Sequence, residues 1–67
     1  MAVARVTKIT AASSESFDAA IREGLGRASR TIRGITGLHV VEQKAKVTSG
    51  AIEEYRVTME ITFVLED

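Results

Sequence analysis

Glu53-Glu54-Tyr55-Arg56-Val57-Thr58-Met59-Glu60-Ile61-Thr62-Phe63-Val64-Leu65 is the stretch that decides the fold. From Tyr55 onward every second residue is apolar: Tyr55, Val57, Met59, Ile61, Phe63 and Leu65. Between them stand Arg56, Thr58, Glu60 and Thr62, with Val64 as the exception. Alternation of this length predicts a β-strand with one buried and one wet face. At roughly 3.3 Å per residue it would run roughly 40 Å, against a usual strand of about 5–6 residues. A chain this small cannot cover so long a strand alone, so the strand points beyond the monomer.

The rest of the chain is read outward from it. Thr48-Ser49-Gly50 is a turn cluster, and Gly50 can supply a positive φ. Before it, Leu38 to Val47 reads as a second strand, which should form an antiparallel hairpin with the third. Ile35 to Gly37 is taken as a short link. From Glu15 to about Arg33 the period changes to three or four residues, through Phe17, Ile21, Gly24 or Leu25, Ala28 and Ile32. That is one apolar stripe on a helix of about five turns. Ser13 or Ser14 is the expected N-cap, Arg30 and Arg33 lie where a helix C-terminus favours cations, and Gly34 is the expected stop. Gly24 and Gly26 cost helix propensity, about 1 kcal/mol each, and are read as places where the helix packs close to the sheet. Ala2 to Thr10 reads as a first strand and Ala11 to Ser14 as a turn. Glu66 and Asp67 are expected to be solvated.

The order is β-α-β-β, an α+β class in which one helix covers one face of a three-stranded sheet. The even-numbered face of the third strand, Glu54, Arg56, Thr58, Glu60 and Thr62, has no cover from this chain and suits water or a polar subunit contact. With 67 residues the chain is read as a single domain, 1–67. Domains of this size are marginal alone and usually add disulfides, a metal or oligomerisation. There is no cysteine and one histidine, so self-association is the remaining common route. Unpaired strand edges invite pairing with another copy, and a closed symmetric assembly removes that liability.

Nine basic and nine acidic residues cancel, which gives no reason to expect nucleic acid or an anionic membrane as partner. Three aromatics, Phe17, Tyr55 and Phe63, make no platform for single-stranded nucleic acid. No apolar run is long enough to span a bilayer and Met1 to Thr10 lacks a signal-peptide core, so a cytoplasmic protein is expected. No catalytic set emerges. Five serines share one histidine without a supporting spacing, and Glu53 and Glu54 are strand neighbours that should face opposite sides. Gly24-Leu25-Gly26 sits inside the helix pattern rather than at its start, so it is no phosphate loop. His39 is read as a surface or hydrogen-bonded residue. The residues alone give a small oligomeric α+β domain that is not an enzyme.

The whole chain resembles the dodecins. The features that carry this are Lys8-Ile9-Thr10, then Ser13-Ser14-Glu15-Ser16-Phe17-Asp18-Ala19-Ala20-Ile21, then Arg27-Ala28-Ser29-Arg30-Thr31-Ile32-Arg33. The tail completes the set with Glu54-Tyr55-Arg56-Val57 and Phe63-Val64-Leu65-Glu66-Asp67. The resemblance implies a β-α-β-β fold with a long hairpin wrapped round the helix, and a hollow homo-dodecameric shell of cubic symmetry. It also implies a small-molecule ligand. Many dodecins hold riboflavin or FMN in pairs near two-fold axes, between tryptophans of two subunits, with a glutamine of the last strand bonded to the ring. Their role is storage and photoprotective quenching, and some members bind coenzyme A.

The chain departs from that pattern where the ligand would lie. Gly37 stands at the tryptophan position, Arg56 at that of the glutamine, and Lys44 at that of an arginine near the flavin phosphate. With Gln43 and Tyr55 these are the candidate ligand-binding residues. Gly37 offers no stacking ring, and no tryptophan elsewhere replaces it. Arg56 has five donors and no acceptor, so it cannot copy an amide. Two copies of Arg56 near a two-fold axis would need an anion or carboxylates, with Glu54 and Glu60 as candidates. Two functions compete: a flavin-storing shell, and a dodecin-like shell that holds flavin weakly or not at all and takes an ion, an anion or another metabolite. The second is preferred. The identity of any metal is left open.

Overall fold

The protein, a computed structural model describing residues 3–65, is built in the order β1 (Val3–Ser13), α1 (Phe17–Ala28), β2 (Ile35–Thr48) and β3 (Ala51–Leu65). All three strands form one antiparallel sheet in the order β1-β3-β2. The strand with the strictest alternation is therefore the central one, and β1 and β2 each pair only with it. Ala2, Glu66 and Asp67 lie outside the described residues.

Val57, Met59 and Ile61 are fully buried on the helix side of β3, as the alternation predicts. Ile9 and Val40 pair with Met59 from the two sides and join the same cluster, as do Ala11 and Leu38. The helix meets them with Ala20, Gly24 and Ala28, all buried, spaced four apart. Sequence reading ran the stripe through Phe17, Ile21, Gly24 or Leu25, and Ala28; Gly24 and Ala28 are buried, whereas Phe17, Ile21 and Leu25 are only half-buried. Small residues let the helix approach closely. A Cβ on Gly24 would lie 3.0 Å from both the Ala11 Cβ and the Met59 Cε. Gly26 is different: a Cβ there would meet nothing within 4 Å, so the expected close packing holds at Gly24 and not at Gly26.

Several boundaries differ from expectation, each for a physical reason. The N-cap is Ser16, not Ser13 or Ser14; its Oγ accepts from the Ala19 N–H at 2.9 Å. Ser13 instead accepts from the Glu15 N–H at 3.0 Å and closes the turn. The helix ends at Ala28 rather than near Arg33. Arg30 and Thr31 donate three residues back, to Arg27 and Ala28, in a tightened final turn. That turn still places Ile32 against the core, so the helical spacing persists past the helix. Gly34, with φ +74, then swings the chain into β2. Ala11 to Ser13 are strand rather than turn, because they pair with Val57, Arg56 and Tyr55. Ile35 to Gly37 are likewise strand rather than link. At the hairpin, Ser49 (φ 51) and Gly50 (φ 77) both take positive φ, as the tightest hairpin turns require.

The molecule is long and thin, 52 × 19 × 13 Å. The helix packs on β1 and β3. Beyond Ser13, which pairs with Tyr55, β1 stops and only β2 and β3 continue, as a two-stranded arm. Among the described residues no helix is long and apolar enough to cross a membrane.

Candidate functional site

Antiparallel pairing puts opposed residues on one face, so the register maps the sheet face that the helix leaves uncovered. From the arm inward its rows are Lys46 and Glu54; Lys44, Arg56 and Ala12; Glu42, Thr58 and Thr10; His39, Glu60 and Lys8; Gly37, Thr62 and Val6. Of the candidate ligand-binding residues, Lys44, Arg56 and Gly37 share this face. Gln43, opposite Val57, and Tyr55, opposite Ala45, are on the helix side. Tyr55 is committed there: its ring meets Phe17 edge-on, with centroids 5.0 Å apart and planes at 79°.

Lys44 and Arg56 are direct cross-strand neighbours. Like charges so placed repel, and each is compensated from its own strand. Lys44 Nζ lies 3.0 Å from a Glu42 carboxylate oxygen, and Arg56 Nε donates to Glu54. The carboxylate needed at Arg56 is thus supplied within one protomer, and by Glu54 rather than Glu60. Glu60 is engaged elsewhere, 3.2 Å from His39 Nδ1. Lys46 is paired across the hairpin instead, 3.2 Å from Glu53 of β3. These pairs are largely exposed, where each contributes about 0–1 kcal/mol. Their effect is to leave little uncompensated positive charge for a ligand. Thr10 and Thr58 hydroxyls, 3.1 Å apart, bridge β1 and β3 in the next row.

Gly37 is part of a different subsite. Its partner is Thr62, whose Cβ would be 3.8 Å from a Cβ added at Gly37, so a side chain could be accommodated there. Thr62 and Arg56 are six residues apart on β3, about 20 Å along a strand. One protomer therefore does not bring Gly37 to Lys44 and Arg56; a site using both ends must be built from two copies. The His39–Glu60 pair was not foreseen. The hairpin register would have exposed it, since both lie between Gly37 and Arg56 on the same face.

Two further hollows exist. A groove of about 550 Å3 runs between β1 and the C-terminal half of α1, with Ile9, Ala11 and Ala28 along its floor and Glu23, Arg27 and Arg30 at its rim. A smaller hollow of about 340 Å3 lies between Ile32 and Phe63. Among the described residues, no three or more His, Asp or Glu side chains gather as a metal cluster.

Comparison with known proteins gives a consistent answer. The family model described as Dodecin matches residues 3–66. A dodecin of Thermus thermophilus is 31% identical over 65 residues, covering 97% of this chain and 94% of the relative. That protein has also been solved as a variant with a tryptophan replaced by phenylalanine; the present chain has no tryptophan. The dodecin of Streptomyces davaonensis superposes with a TM-score of 0.93 at 38% identity, covering 98% of this chain and 97% of that one. A calcium dodecin of Mycobacterium tuberculosis, described as calcium-chelating with a novel calcium-binding site, superposes with a TM-score of 0.82 at 32% identity, covering 96% and 91%.

Proposed function

The chain belongs to the dodecin family, and from that premise we propose that it is a cytoplasmic, non-catalytic small-molecule binding or storage protein. Its copies assemble into a homo-dodecameric shell in which the flavin site is weakened. The observation that carries this reading is Gly37. It lies in β2 opposite Thr62, on the uncovered sheet face, in a chain with no tryptophan. A ring stacked on an aromatic side chain gains roughly 1–3 kcal/mol by deletion measurements. Without that platform, riboflavin or FMN binds about 5–150-fold more weakly at each ring.

The remaining polar groups support the same preference. Arg56 offers donors only, and its Nε is paired with Glu54, whose carboxylate offsets part of the charge an anion would meet there. Lys44 is held by Glu42 and would meet a flavin or coenzyme A phosphate on the same terms. Gln43 and Tyr55, on the helix side, would act on a ligand only where a second copy presents them. An ion held in the shell would draw its donors from more than one copy.

Titration of riboflavin and FMN with purified protein, followed by flavin fluorescence, tests the proposal. Weak, unsaturated quenching is expected for the wild type, and at least a ten-fold gain in affinity for Gly37→Trp. Strong, saturating quenching by the wild type would replace this reading with a working flavin store for photoprotection.

A further inference from the structure

Lys44, Lys46 and Arg56 are each paired with a carboxylate, but the cations beside the groove between β1 and α1 are not. None of the ion pairs among the described residues includes Arg27 or Arg30, and both side chains are exposed. The two are three residues apart, and the Arg30 N–H donates to the Arg27 carbonyl at 3.2 Å, a turn that brings side chains at i and i+3 over one another. Glu23, the one carboxylate among the lining residues, lies two helical turns before Arg30, about 10 Å along the axis. A helix C-terminus disfavours an anion. Here the carbonyls of Leu25, Arg27 and Ala28 already accept from the Ser29, Arg30 and Ile32 N–H groups, which leaves the two guanidiniums to set the local charge.

Beneath these cations the groove is apolar, lined by Ile9, Ala11, Ala28 and Ile32. Its volume, about 550 Å3, is in the range of small-molecule sites. Among the described residues that line it there is no aromatic side chain to stack on a ring, and no Asn or Gln to read the edge of a heterocycle. We infer that the groove binds a free amphipathic carboxylate, a medium-chain fatty acid, with its chain along Ile9, Ala11 and Ala28 and its head between Arg27 and Arg30. A guanidinium fork matches a carboxylate bidentately, and Thr7 and Thr31 bring hydroxyls to the same groove. An unbranched chain needs only a continuous apolar floor, which is what a strand and a helix lying side by side provide. The site goes beyond the function proposed above. It is on the helix side of the sheet, away from Gly37, Lys44 and Arg56, and contains none of the candidate ligand-binding residues.

Isothermal titration calorimetry of the native protein with decanoate, kept below its micellar concentration, tests the site. Saturable binding of one decanoate per chain is expected. Decanol keeps the chain without the charge, and acetate keeps the charge without the chain; each should bind at least about ten-fold more weakly. Arg27→Gln and Arg30→Gln should each weaken decanoate about ten-fold. Arg22→Gln, on the same helix but paired with Asp18 and outside the groove, should leave decanoate binding unchanged. The Arg27→Glu, Arg30→Glu double variant should reverse the preference, taking decylamine and refusing decanoate. All these side chains are exposed, so each variant should keep the wild-type native mass and circular dichroism spectrum. No saturable binding by the wild type, equal affinity for decanol and decanoate, or a double variant that still prefers decanoate would overturn the site. Equal losses from Arg22→Gln and Arg30→Gln would do the same, by showing that general surface charge rather than the groove holds the ligand.

Discussion

The two ends of β3 are made from the same alternating pattern but live in different surroundings. From Tyr55 to Phe63 the strand lies between β1 and β2 and under the helix, and its inward side chains reach complete burial at Val57, Met59 and Ile61. From Ala51 to Glu54 it has one neighbour and no cover, and Ile52 stands half exposed. Alternation alone does not separate the two; what separates them is where β1 and α1 end. The inner end holds the protomer together, and the outer end is left for contact with something else.

That contrast can be broken by experiment. Met59→Ala, at the centre of the inner end, should lower stability by about 2–5 kcal/mol in chemical unfolding. A loss as small as that of an exposed residue would mean that the core lies elsewhere. Gly24→Val should cost about 1–3 kcal/mol by overpacking against Ala11 and Met59. Gly26→Ala, two residues along the same helix but facing open space, should instead raise stability by about 0.5–1 kcal/mol. The opposite signs sharpen the comparison between covered and uncovered surface, and two changes of the same sign would refute it. Smallest of all, Lys46→Ala should shift the unfolding free energy by less than about 1 kcal/mol, since its pair with Glu53 is exposed. A larger shift would show the arm to be part of the cooperative core.

Much of the fold was legible because the side-chain period is a local property. The β-α-β-β order, the buried face of β3 and the turn at Ser49–Gly50 follow from residue spacing, and the structure has all three. What was not legible depends on partners distant in sequence. Ala11, Ala12 and Ser13 have no marked strand preference and become strand by pairing with β3. Ala20 was not among the residues of the apolar stripe, yet it is fully buried because the helix lies so close to the sheet. At the candidate site, the resemblance to dodecins drew attention to Gly37, Lys44 and Arg56. It could not reveal that Lys44 and Arg56 face each other. That pairing comes from register, which the bulge between Lys46 and Val47 keeps out of reach of simple counting from the turn.

The central place of β3 also bears on how the protein is made. The strand that joins both others follows them in the sequence, so until it is made, β1 and β2 have no strand to pair with. The hairpin can close as soon as β3 emerges, because its halves are adjacent in sequence. The β1–β3 ladder, which brings Val3 to Leu65, must close across the helix and the whole of β2. The sheet is therefore assembled from its central strand outward, the local hairpin first and the long-range ladder second.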